Sequence, residues 1–315
     1  MKLGGVDPFS SYKLRELHGH REKVYCVAWS CEGNKLASGS SDKTIRIWNT
    51  DSSSQGKFAK TEVELKGHSE SVDTLSWDPT HPDRLVTASS DKTVRLWDTR
   101  SNKCAECITG SSQQINVVWS PDGRTIAAGS RDDDISFVDV RKFKITKTHK
   151  YPYQVNEIAW SRCGTCFFIT SNSGSIEMMS YPSMELVRSL KAHSSCCYSI
   201  AFDPAGKYLA SGGGDALVGL WDLEELICTH TFIRMDTPVR AIDFSHDSKH
   251  LAFASEDVFI DIVDVNTGEL VHQITCNSSS DSIAWNPKHK MLAFAGDERD
   301  GRQGSLPFSV GIFAP

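Results

Sequence analysis

The sequence predicts an all-β protein, a seven-bladed β-propeller whose ring is closed by pairing of the N-terminal strand with the last blade. Three observations predict it. First, two apolar or small residues, an aromatic and a polar turn recur seven times. The copies are Val27-Ala-Trp29-Ser, Leu75-Ser-Trp77-Asp, Val117-Val-Trp119-Ser, Ile158-Ala-Trp160-Ser, Ile200-Ala-Phe202-Asp, Ile242-Asp-Phe244-Ser and Ile283-Ala-Trp285-Asn. Their aromatics are spaced by 48, 42, 41, 42, 42 and 41 positions, and a steady period of a few tens of residues marks a repeat architecture. Second, each copy continues into short runs of period-two alternation bounded by Gly, Asp and Pro turns, the mark of antiparallel strands. Third, no long stripe with a 3.6-residue period occurs, so no helix is expected.

The elements follow in order. Residues 12–17, Tyr-Lys-Leu-Arg-Glu-Leu, form a strand ahead of the first repeat. The first unit, 18–49, opens on Gly19-His20, runs through Leu36-Ala-Ser-Gly-Ser40, turns at Asp42 and ends in Thr44-Ile-Arg-Ile-Trp48. The polar stretch Ser52-Ser-Ser-Gln-Gly56 then lengthens the first interval as an inserted loop. The second unit, 66–98, repeats the plan with Gly67-His68, Asp91 and Trp97-Asp98. The third, 108–139, turns at Ser120-Pro-Asp-Gly123 and again at Asp132; the fourth is 149–180. The fifth, 191–222, restores Ala192-His193, Asp215 and Trp221-Asp222. The sixth, 233–264, turns at Asp257, and the seventh, 275–313, stops at Val310-Gly-Ile-Phe313, one strand short. The strand at 12–17 supplies what the seventh lacks and removes two open edges. One domain, 1–315, replaces the two that length alone suggests.

The pairs Gly-His and Trp-Asp at this spacing resemble the WD40 repeat. In that repeat a His, a strand Ser or Thr, a turn Asp and the Trp form a buried hydrogen-bonded network. The resemblance implies three such networks: His20, Ser38, Asp42 and Trp48; His68, Thr87, Asp91 and Trp97; His193, Ser211, Asp215 and Trp221. A Ser-His-Asp triad is the rival reading. It needs one exposed nucleophile beside an oxyanion site, not three copies in three blades. No catalytic residue is therefore assigned. In units three, four, six and seven Val138, Met179, Val263 and Phe313 stand in place of the Trp, an apolar plug without an indole N–H.

Composition narrows the function further. The chain has 315 residues, 39% apolar and 23% charged, which is globular. No apolar run is long enough to span a bilayer, and the first residues lack the apolar core of a secretory signal. Ten cysteines without such a signal point to reduced thiols. The net charge of −6 is uneven: residues 1–150 carry 23 basic against 20 acidic side chains, and 151–315 carry 11 against 20. A protein that clamps a phosphate backbone usually shows a basic excess, so any nucleic-acid contact is local and belongs to the first half. Its candidate is the run 141–150, with Lys142, Lys144, Lys147 and Lys150, whose bland reading is a charged edge strand that resists strand addition. Cys104/Cys107 and Cys163/Cys166 have zinc-like C-x-x-C spacing, but their places in the repeat are far apart and neither supplies four ligands. No Walker A loop occurs, and no cofactor, metal or small-molecule substrate is expected.

What remains is surface. By register the loops ahead of each first strand and the turns beside the Asp share one rim. They bring up Lys23, Tyr25, Ser71, Asp73, Arg131, Gln154, Asn156, Arg240 and Glu256, with Ser41, Ser90 and Pro238 alongside. Tyr and Arg are favoured interface anchors. The insert 297–308 is expected to project from the same rim.

Several stretches carry a narrower resemblance: 21–33, Phe202-Asp-Pro-Ala-Gly-Lys-Tyr208, Phe244-Ser-His-Asp247 with Ala254-Ser-Glu-Asp257, and Ala284-Trp-Asn-Pro-Lys288 with Leu292-Ala-Phe-Ala295. On these the chain resembles the WD40-repeat subunit family of the nuclear THO/TREX assembly, which couples transcription to mRNA processing and export. The resemblance implies a non-catalytic scaffold that docks other THO subunits, especially a large helical one. It also implies indirect association with an RNA helicase, an export adaptor and mRNA. The alternatives are another WD40 scaffold, such as a ubiquitin-ligase substrate receptor, and a propeller that binds RNA directly.

Overall fold

In the computed structural model, which describes residues 7–50, 58–297 and 308–315, seven four-stranded antiparallel sheets stand around a ring. No helix occurs among the described residues, and so none long and apolar enough to cross a membrane. The loop at 52–56 and most of the insert at 297–308 lie outside the described residues. The innermost strands, in order, are Val24–Trp29, Val72–Trp77, Gln114–Trp119, Val155–Trp160, Cys197–Phe202, Val239–Phe244 and Ser279–Trp285. Each packs on the next and the seventh packs on the first, so the ring is closed. The chain thus folds into the all-β propeller that the period predicts.

Six sheets take four consecutive strands. The seventh takes three, Ser279–Trp285, Leu292–Asp297 and Ser309–Ala314, and borrows Lys13–His18 as its outer strand. The register runs from Lys13 opposite Ala314 to His18 opposite Ser309. Ahead of this strand Phe9, fully buried, wedges against Tyr12, His250, His272, Trp285 and Phe313. Asp7 accepts from its own turn at Phe9 N (2.8 Å) and pairs with His272 Nδ1 (2.8 Å).

The core lies between blades. Ala37, Ile45, Ile47 and Leu65 of blade one, for example, close on Val72, Leu75 and Trp77 of blade two. Strand alternation sends one face of each sheet into the wedge ahead and the other into the wedge behind, so both faces are apolar. The residues opposite the second-strand positions Leu36, Leu85, Ile126, Phe167, Leu209, Leu251 and Leu292 are Trp48, Trp97, Val138, Met179, Trp221, Val263 and Phe313. All seven are buried.

Each innermost strand carries one register shift, between Val24 and Cys26, Val72 and Thr74, Gln114 and Asn116, Val155 and Glu157, Cys197 and Ser199, Val239 and Ala241, and Ser280 and Ser282. A bulge leaves its extra residue out of the ladder and re-aims its side chain. The seven residues so released are Tyr25, Asp73, Ile115, Asn156, Tyr198, Arg240 and Asp281.

Candidate functional site at the channel mouth

Six of the released residues line one cavity of about 460 Å³ at one end of the central channel: Tyr25, Ile115, Asn156, Tyr198, Arg240 and Asp281, with Lys23, Gln154 and Glu256 beside them. Two ion pairs rim it. Lys23 Nζ meets Asp281 Oδ2 at 2.7 Å, joining blade one to blade seven. Arg240 Nη2 meets Glu256 Oε1 at 2.7 Å, and the guanidinium lies 4.1 Å from the Tyr198 ring centre. Planar stacking and a carboxylate fork fix the arginine better than a lysine could be fixed. Of the nine rim residues read from the sequence, Lys23, Tyr25, Gln154, Asn156, Arg240 and Glu256 line this cavity. Ser71, Asp73 and Arg131 do not. Asp73 accepts hydroxyl bonds from Ser71 (2.9 Å) and Ser90 (2.7 Å), and burial pushes its carboxyl above the usual range. The sequence reading missed Ile115, Tyr198 and Asp281. A signal existed: every released residue stands four positions before the repeat's aromatic.

Below the mouth, side chains of one innermost strand bond the backbone of the next. Thr74 Oγ1 donates to Ile115 O, Asn116 Nδ2 to Asn156 O (2.5 Å) and Asn156 Nδ2 to Cys197 O (2.8 Å). Glu157 accepts from Ile200 N (2.7 Å), Asp243 from Trp285 N (2.6 Å) and Ser282 from Val27 N (3.1 Å). Burial is the main force on the two carboxyls and raises both, Glu157 to about 8 and Asp243 to about 7. Asp243 also raises Glu157 from two blades away, across the channel.

The histidines sit elsewhere, inside the blades. His20 Nδ1 bonds Asp42 at 2.9 Å, its Nε2 bonds Ser38 Oγ at 2.8 Å, and Trp48 Nε1 donates to the same hydroxyl at 3.0 Å. His68, Asp91, Thr87 and Trp97 repeat this at 2.8, 2.7 and 2.9 Å; His193, Asp215, Ser211 and Trp221 do so at 2.9 Å throughout. Burial raises the Asp91 carboxyl, but hydrogen bonds from Thr93 and His68 outweigh it and hold the group at about 2. Burial pushes His68 down. Ser38, Thr87 and Ser211 are wholly buried and already accept an indole N–H, so none can meet a substrate. In the other blades register places Ala128, Ile169, Phe253 and Phe294 at the hydroxyl position. Trp and hydroxyl are lost together.

The basic run occupies the outer strand of blade three, Lys144–Lys150. Lys144 faces Asp139 and Lys150 faces Asp134 across the ladder. Lys147 Nζ donates to Pro182 O (3.1 Å) and Ser183 O (3.3 Å), tying blade three to blade four. Lys142 N donates to Asp139 Oδ1 (2.9 Å) in the preceding turn. Cys104 and Cys107 lie on the outer strand of blade two, Cys163 and Cys166 at an inner turn of blade four. No cluster of three or more metal-ligating side chains occurs among the described residues.

A family model described as the THOC3 beta-propeller domain matches residues 20–295. The chain is 50% identical over 93% of its length to THO complex subunit 3 of Arabidopsis thaliana, and covers 92% of that protein. It is 33% identical over 91% of its length to the WD repeat-containing protein AAC3 of Dictyostelium discoideum, covering 64% of it. Among solved structures it superposes on the Cps50 (Swd1) β-propeller domain of Myceliophteria thermophila with a TM-score of 0.82 at 18% identity, over 96% of this chain and all of that one, a likeness of fold alone.

Proposed function

The chain belongs to the THOC3 β-propeller family, and from that membership we propose that it is a non-catalytic scaffold subunit of a nuclear THO-type complex that couples transcription to mRNA processing and export. It docks other THO subunits, a large helical one foremost, and reaches an RNA helicase, an export adaptor and mRNA through them. The observation that supports the docking role is the ring of bulge residues: six of the seven blades release one side chain into the mouth at one end of the channel. A partner meeting groups already fixed by ion pairs and stacking loses little ordering entropy. Tyr25, Tyr198 and Arg240 are the anchors, being the residue types that dominate interface energies. The experiment is affinity capture of the tagged chain from nuclear extract. Recovery of THO subunits is expected; recovery of ubiquitin-ligase subunits in their place refutes the proposal.

A further inference from the structure

The face opposite the mouth carries the turns that lead into the outer strands, because each third strand runs parallel to its innermost strand. In blades four, five and six these turns are 180–186, 222–227 and 264–270, and they contain no Lys or Arg. They present Glu185, Glu224, Glu225 and Glu269, all exposed and without a salt-bridge partner among the described residues. The matching turns of blades two and three, 98–103 and 139–144, are instead basic, with Arg100, Lys103, Arg141, Lys142 and Lys144. Charge is thus sorted along this margin.

Beside the free acids lie exposed aliphatics, at the start of each outer strand: Leu186 at 57%, Val187 at 55%, Ile227 at 54% and Leu270 at 40% exposure. Neighbouring blades touch close to these turns. Leu226 packs into the wedge between blades four and five, and Gly268 of blade six abuts His230 on the outer strand of blade five. Exposed aliphatics on a closed ring mark a contact site, and a margin whose acids outnumber the neighbouring Lys207 and Lys249 selects the partner by charge.

We propose that the lower outer margin of blades four to six docks a basic, aliphatic segment of a partner protein. Lysines or arginines of that segment meet the four glutamates, and its aliphatic side chains cover Leu186, Val187, Ile227 and Leu270. A nucleic-acid backbone is repelled by the same glutamates. This surface is separate from the channel mouth.

The test uses the full chain and a fluorescent lysine–leucine peptide with leucines on one helical face, read by anisotropy, with a glutamate–leucine peptide as the opposite-charge probe. Two double variants change only exposed positions, Glu224→Lys/Glu225→Lys and Leu186→Ser/Ile227→Ser. The control, Glu22→Lys/Glu70→Lys, makes the same charge change on blades one and two. Each margin variant is expected to weaken the lysine–leucine peptide about tenfold, the control less than about threefold, with melting unchanged in all three. Equal weakening by the control, undiminished binding by the Leu186→Ser/Ile227→Ser variant, or equal binding of the glutamate–leucine peptide overturns the proposal.

Discussion

With Asp42 ionised, His20 carries its proton on Nδ1, so Nε2 accepts from the Ser38 hydroxyl, which in turn accepts from Trp48. Removing that hydroxyl orphans two buried groups at once. Ser38→Ala is expected to lower unfolding free energy by about 2–4 kcal/mol in urea titration. Ala128→Ser at the same register in blade three, which has no indole to serve, should not stabilise. Charge at single residues also sets the pH response, with two opposite signs. Asp91 is held below its ordinary value, so it stabilises above about pH 4, by about 2 kcal/mol, and that is lost as pH falls toward about 2. His68 is held low as well, so its share is present above about pH 6.5 and is lost as pH falls below that. Glu157 and Asp243 are raised: the folded ring keeps protons that the unfolded chain releases, so stability falls as pH climbs from about 4 to about 8. Glu157→Gln keeps an acceptor for Ile200 N and should stabilise by a few kcal/mol near about pH 9 but not near about pH 4. Thermal melts across pH check this; an equal gain at both ends contradicts it.

At the scale of the element, the borrowed strand decides whether blade seven has an edge. Without Lys13–His18 the strand Ser309–Ala314 is left open, a template for pairing with another chain. Removing residues 1–17 is expected to lower the melting temperature and to promote association, seen by light scattering; unchanged melting contradicts the closure. Phe9→Ala alone should cost about 3–5 kcal/mol, since a whole aromatic side chain leaves a filled wedge. The pairing was legible, because the last repeat lacks a strand and the first has one to spare. Phe9 was not: it stands outside the period, and nothing beside it in sequence tells which wedge it fills. The mouth was half legible. Lys23, Tyr25, Gln154, Asn156, Arg240 and Glu256 follow from register, whereas Ile115, Tyr198 and Asp281, one apolar, one phenolic and one acidic, have no side-chain type in common. What unites Tyr25, Ile115, Asn156, Tyr198, Arg240 and Asp281 is a backbone bulge, and a bulge here has a position in the repeat but no preferred residue type.

For the whole molecule, a closed ring makes the blades interdependent: each apolar wedge is built from two sheets, and the channel ties run from strand to strand. The charge asymmetry between the two halves of the chain, visible in composition, becomes in three dimensions acidic outer turns on blades four to six and basic ones on blades two and three. Within the basic run the Lys147 ammonium bonds two carbonyls of the next blade and so also ties the ring together. On the proposed reading, function rests on surfaces held rigid by a core whose histidine networks are buried. The most direct measurement compares the tagged chain with a Tyr25→Ala/Tyr198→Ala/Arg240→Ala variant in capture from nuclear extract, after matching their melting temperatures. The variant should recover THO subunits about tenfold less well, the loss of a few interface anchors. Equal recovery by a variant that melts like the parent would place docking away from the channel mouth and contradict the central claim.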